Sequence, residues 1–115
     1  MLSILIPTYN YSVFPLVLEL KNQADLLAIP YEVLVLDDAS TLFLNENSKI
    51  QELEYCYYLK NEMNIGRTAT RNFLAQKAKF NILLFLDSDV LPENKSFLST
   101  YGEAFDNLEN KAIFG

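Results

Sequence analysis

The residues best suited to chemistry are acidic and fall just after apolar runs. Asp87-Ser88-Asp89 follows Ile82 to Leu86, and Asp37-Asp38 follows Tyr31 to Leu36. Thr8, Tyr9 and Asn10 follow a third such run, Leu2 to Ile6. In an extended or tightly turned segment, alternate residues can face the same way, so Asp87 and Asp89 can flank a divalent cation that phosphate oxygens hold from the other side. Spacing alone leaves a second reading open: a solvated turn in which Asp89 caps a helix starting near Pro92 or Glu93.

Bulk composition narrows the chemistry. The 115 residues carry nine basic and fifteen acidic side chains, a net charge of −6. A nucleic-acid binder needs a basic face, so that class is set aside. A phosphorylated small molecule remains compatible, provided a cation stands between it and the acidic protein. Histidine is absent and Cys56 is the single cysteine. Imidazole acid–base chemistry, an intramolecular disulfide and a cysteine zinc site are therefore excluded. Oxygen ligands imply a hard cation, Mg²⁺ or Mn²⁺.

The acids need a scaffold, and the apolar periodicity supplies one. Leu2 to Ile6 reads as a buried strand ended by Pro7. Val13, Leu16, Val17, Leu20, Ala24 and Leu27 recur at helical spacing, with Ser12 as N-cap and Pro15 in the first turn. Tyr31 to Leu36 reads as a second strand, Ala39 to Ser48 as a polar loop and Lys49 to Glu54 as a short helix. Tyr55 to Leu59 reads as a third strand on aromatic content. Arg67 to Lys79 predicts a helix with Ala69, Phe73 and Ala78 inward. Ile82 to Leu86 is the fourth strand. Phe97, Leu98, Tyr101, Ala104, Phe105 and Leu108 form a helical stripe, and Ala112 to Phe114 starts a fifth strand. Strands alternating with helices imply an α/β domain with a mainly parallel sheet flanked by helices. In such sheets ligands bind outside the carboxyl ends of the strands, where all the acids above fall. Four carboxylates meeting there would call for a cation or a ligand.

Four segments together resemble the family 2 glycosyltransferases, whose fold is the Rossmann-like GT-A fold. Ser3-Ile4-Leu5-Ile6-Pro7-Thr8-Tyr9-Asn10 resembles their opening strand and loop. Glu32 to Ser40 resembles their second strand and its paired acids, with Ala39 where glycine is common. Asn64-Ile65-Gly66 followed by Ala69-Thr70-Arg71-Asn72 resembles the lead into their Arg-Asn helix. Leu83 to Asp89 resembles their D-x-D strand. The resemblance implies a nucleotide-diphosphate donor, with a UDP-sugar expected. Pro7, Thr8, Tyr9, Asp37, Asp38, Arg71 and Asp87 would contact it, and Asp89 with Asp87 would hold the metal. It implies sugar transfer with inversion to a glycan or lipid-linked acceptor. The chain would be the donor-binding part, residues 1–115, of a single GT-A domain. The acceptor-binding part and the general base are expected beyond Gly115.

Each residue also has a plainer reading. Asp37 can cap the Ala39–Thr41 loop through local hydrogen bonds. Tyr9 can be a loop aromatic, Arg71 a surface cation, Gly66 a turn residue and Cys56 a core filler. Two rival functions fit part of the pattern. Leu86-Asp87-Ser88-Asp89-Val90 matches the first motif of haloacid-dehalogenase-type phosphohydrolases, with Asp87 as nucleophile. A nucleotidyltransferase would need a glycine-rich basic loop after the first strand, and Pro7-Thr8-Tyr9-Asn10-Tyr11 is neither. A non-catalytic nucleotide-binding module is the third class. No run is long enough to span a bilayer, and no signal peptide is evident, so a cytoplasmic location is expected, with peripheral contact at the inner membrane face for a lipid-linked acceptor.

Overall fold

The computed structural model describes residues 1–90, 97–98 and, as backbone, 112–114. Five strands, β1 (Leu2–Thr8), β2 (Tyr31–Asp37), β3 (Cys56–Lys60), β4 (Ile82–Phe85) and β5 (Ala112–Phe114), form one sheet in the order β3-β2-β1-β4-β5. Every pair is parallel. Helix α1 (Phe14–Leu27) joins β1 to β2, α2 (Leu44–Ser48) with a 3-10 turn (Lys49–Glu52) joins β2 to β3, and α3 (Arg67–Lys77) joins β3 to β4. The chain order reverses between β1 and β4, the switch point at which parallel sheets open a crevice.

The sheet is buried on both faces because its strands are apolar at consecutive positions. Leu2, Ile4 and Ile6 of β1, Val33 and Val35 of β2, and Ile82 and Leu84 of β4 pack on one side against Leu16, Val17, Leu20 and Ala24 of α1. Leu5, Leu34, Leu36 and Phe85 point the other way and meet Leu74 of α3. Two polar residues inside the sheet satisfy each other. Ser3 and Glu32 are partners in the β1–β2 register. Ser3 donates to Glu32 at 2.6 Å, and that carboxylate also accepts the Lys79 N–H at 2.6 Å.

Pro7 explains why the crevice is open. Even-numbered residues of β1 direct their backbone groups to β2, as when the Thr8 carbonyl accepts the Asp38 N–H. Odd-numbered residues face β4, as when the Leu5 carbonyl accepts the Leu86 N–H. The next donor toward β4 would be residue 7, and proline has no N–H. The β1–β4 register accordingly ends at Leu5–Phe85, while β1–β2 continues to Thr8–Asp37. Asp87-Ser88-Asp89 is thereby freed from the ladder.

Several local expectations need correction. The strand does not stop at Pro7 but runs through it, because that residue lacks a partner only on the β4 side. Val13, not Ser12, is the N-cap of α1, without a side-chain cap. The Val13 N–H is met by Asn47 Oδ1 at 2.9 Å, and Ser12 Oγ donates instead to Glu46. The polar stretch expected as loop contains α2, which carries both Glu46 and Asn47. Helix α3 buries Thr70 and Leu74, whereas Ala69 and Phe73 are exposed and Ala78 is half-buried. Of the expected 97–108 stripe, Tyr101, Ala104, Phe105 and Leu108 lie outside the described residues, as do Pro92 and Glu93. Among the described residues no helix is long and apolar enough to cross a membrane.

Candidate functional site

A cleft of about 550 Å³ opens at the carboxyl edge of β1, β2 and β4, lined by Pro7, Thr8, Tyr9, Asp38, Asp87 and Asp89 among others. It is where the sequence placed the chemistry. Pro7 and Thr8 line it at the end of β1. Tyr9 stands on the rim, 54% exposed, with an aromatic face available to a planar ligand. The Asn10 carboxamide fixes the neighbouring wall: its Oδ1 accepts the N–H groups of Thr41 and Leu42 at 2.8 and 3.1 Å.

Two expected donor contacts do not line the cleft. Asp37 is 0% exposed and faces inward. One of its oxygens accepts the Ser40 N–H at 2.8 Å and the other the Tyr58 hydroxyl. It closes the loop after β2, and burial with this hydrogen bond raises the Tyr58 phenol above its ordinary pKa. Arg71 lies over the Phe85 ring, 5.1 Å from its centroid, against the α3 side of the sheet. Four residues earlier Arg67 does line the cleft, and it pairs with Asp87 across it. Arg67 was not singled out from sequence. Its signal is its place at the first position of α3, directly after the turn glycine.

Asp38 organises the third wall. Its carboxylate accepts the N–H groups of Ile65 and Gly66, each at 2.8 Å, and the Asn61 amide at 2.9 Å. Burial alone would raise its pKa; these donors outweigh it and hold the carboxyl below the usual range. Gly66 adopts φ +89°, open to glycine and strained for other residues, and its N–H is already taken by Asp38, so it serves as a turn rather than a phosphate cradle. Ala39, where family 2 commonly has glycine, sits at φ +65°, the left-handed region that makes glycine the easier choice. Cys56 is buried in the core and its thiol is pushed up to about 11 by that burial, which makes it inert.

Two features bear on what the cleft could hold. Thr8 Oγ1 is buried, with the residue 4% exposed, and has no hydrogen-bond partner. Such an atom is costly unless a ligand meets it. Asp87 and Asp89 both line the cleft, but no group of three or more Asp, Glu, His or Cys side chains suited to a metal occurs among the described residues. Asp37, turned inward, leaves the expected cluster of four incomplete. Two carboxylates suit a cation that arrives with phosphate oxygens and water completing its shell, as Mg²⁺ commonly does.

The model of glycosyl transferase family 2 matches residues 3–114. The chain belongs to that family. Its relatives include an uncharacterized glycosyltransferase of Haemophilus influenzae, 34% identical over 93 residues and covering 77% of this chain and 29% of that protein. The chondroitin synthase of Escherichia coli is 33% identical over 118 residues, covering 99% of this chain and 17% of that one. Among solved structures, S. aureus TarS 1-349 in complex with UDP-GlcNAc is 30% identical, with a TM-score of 0.69 over 92% of this chain and 31% of that chain. TarS itself gives a TM-score of 0.73 at 29% identity, covering 92% of this chain and 19% of that chain. The sheet is thus an N-terminal portion of a GT-A fold. The chain spans under a third of the length of the curated relatives it matches. Family 2 membership also sets aside the phosphohydrolase built on Asp87.

Proposed function

We propose that the cleft binds the nucleotide-diphosphate of a sugar donor, a UDP-sugar, and that the protein transfers the sugar with inversion to a glycan or lipid-linked acceptor. The observation that carries this reading is the cleft at the carboxyl edge of the parallel sheet, which Pro7, Thr8, Tyr9, Asp38, Asp87 and Asp89 line together. The TarS complexes with UDP-GlcNAc and with UDP, solved on the same fold, support uridine as the base. Residues 1–115 are the donor-binding part.

Each wall has its task in this reading. Tyr9 presents its ring to the base, and Thr8 and the Pro7 backbone border the nucleoside. Asp38, rigid on the Asn61–Gly66 turn, sets the depth of the pocket. Asp87 and Asp89 would hold Mn²⁺ or Mg²⁺, which would supply positive charge against the diphosphate leaving group. Inversion follows from a single displacement: the acceptor oxygen bonds to the anomeric carbon on the face opposite the breaking carbon–oxygen bond of the diphosphate. The acceptor proton passes to a general base, which must lie within hydrogen-bond reach of that hydroxyl. A lipid-linked acceptor would place the protein at the inner membrane face.

Calorimetric titration of UDP, with and without Mn²⁺, tests the donor site. Asp89→Asn is expected to abolish the Mn²⁺-dependent part of the affinity and leave the melting temperature unchanged. UDP binding that ignores Mn²⁺ would remove the metal role. A folded sample that binds none of UDP, GDP or dTDP would remove the nucleotide site.

A further inference from the structure

Asp87 has two suitors. The donor-site reading gives it to a divalent cation, yet in the structure Asp87 Oδ1 accepts from the Arg67 guanidinium. A cation seated there would lose that lone pair and face a positive charge across the cleft. The side chains of Arg67 and Asp87 are 62% and 47% exposed, so the pair is solvated and weakly held. Arg67 is also the first residue of α3 and lines the cleft beside Gly66. A guanidinium fork fits phosphate oxygens as well as carboxylate oxygens. A diphosphate in the cleft would therefore offer Arg67 a stronger partner than a solvated carboxylate.

We infer that Arg67 makes cation binding conditional on the nucleotide. Without diphosphate it occupies Asp87 and competes with the divalent cation there. When diphosphate enters, Arg67 passes to the phosphate oxygens and Asp87 turns to the cation. The inference rests on the donor-site reading above and assigns Arg67 a role in it. One observation besides the ion pair supports the exchange. No third carboxylate, His or Cys joins Asp87 and Asp89 in a metal-ligating group among the described residues, so a cation alone would find two protein ligands, one of them already engaged.

The test is a Mn²⁺ titration followed by the electron paramagnetic resonance of free Mn²⁺, with and without UDP, on the full chain and on Arg67→Met. Removing the competing cation is expected to tighten Mn²⁺ alone by about two- to fivefold, the range of an exposed ion pair. Losing the phosphate contact is expected to weaken UDP in the presence of Mn²⁺ by about tenfold or more. These opposite signs are the signature, since a structural defect would lower both affinities. Arg67→Lys keeps the charge without the fork and is expected to fall between. Asp87→Asn is an independent variant: with Arg67 released, it is expected to bind UDP tighter than wild type when no divalent ion is present. Mn²⁺ affinity that does not rise in Arg67→Met, or UDP affinity that does not fall, overturns the gate while leaving the donor site standing. Failure of folded wild-type chain to bind UDP with Mn²⁺ overturns the donor site, and the gate with it.

Discussion

At the scale of single residues, the cleft is defined by which polar atoms are already engaged. Asp37 and Asp38 are neighbours in sequence and opposites in role: the alternation of a strand turns one into the core and leaves the next at the edge. Neither spacing nor residue type separates them, because both end the same apolar run. Asp38 in turn is saturated by the Ile65, Gly66 and Asn61 donors, so it shapes the pocket wall more than it waits for a partner. Thr8 is the reverse case, a buried hydroxyl with nothing to bond. Valine has the same branched shape and removes that atom. Thr8→Val is therefore expected to leave stability unchanged or raise it by up to about 1 kcal/mol, because an unsatisfied buried polar group is lost. The same substitution is expected to weaken UDP by about two- to tenfold, the range of one neutral hydrogen bond. Chemical denaturation and calorimetry on one sample check both. A variant less stable by more than that margin would mean the hydroxyl has a partner in the folded protein.

At the scale of elements, the sequence was most legible where apolar residues ran together and least where a distant side chain completed a motif. Strands β1, β2 and β4 and helices α1 and α3 follow from apolar runs and periodicity, because burial on both faces leaves little else for such runs to do, whereas β3 is read on aromatic content. The start of α1 was misread because Ser12 has the right type and position for a cap, while the donor at Val13 is met by Asn47, 34 residues away. No local pattern announces that contact. Its place, a polar stretch of Asn, Glu and Ser, looked like loop. The buried face of α3 was misread for a similar reason: Ala69 and Phe73 are the more apolar choices, but Thr70 and Leu74 face the sheet, and Thr70 Oγ1 bonds the Gly66 carbonyl at 2.7 Å. The contrast at α1 is testable. Asn47 also donates to the Tyr11 carbonyl at 2.8 Å, so it ties the β1–α1 connection at two points. Asn47→Ala is expected to cost about 1–3 kcal/mol by leaving buried backbone groups unmet. Ser12→Ala, whose hydroxyl makes only an exposed contact with Glu46, is expected to change stability by about 0.5 kcal/mol or less. Urea midpoints of the two variants decide it; equal losses would return the cap to Ser12.

At the scale of the whole molecule, the sheet is covered unequally. The α1 side holds the larger cluster, in which Leu16, Val17 and Leu20 close over three strands. The other side rests on Leu74 of α3 meeting Leu5, Leu34, Leu36 and Phe85. Among the described residues the cleft lies at the thinly covered side, since Arg67 and Thr70 of α3 and the preceding Gly66 all contribute to its lining. Stability is therefore expected to be graded: amides of β1 and β2 should exchange with solvent through global unfolding, and those at the start of α3 through cheaper local opening. A ligand that spans Thr8 on one wall and Arg67 on the other would join the two regions. Saturating UDP with Mn²⁺, at about 100 times its dissociation constant, is expected to raise global stability by about 2.7 kcal/mol. In hydrogen exchange, the amide of Thr70, which bonds the Gly66 carbonyl at 3.0 Å, should gain protection with the ligand, since its opening separates the walls. Amides of β3, at the far edge of the sheet, should gain only where they report global unfolding. Protection gained evenly across all five strands, with nothing added at α3, would place the ligand elsewhere than in this cleft.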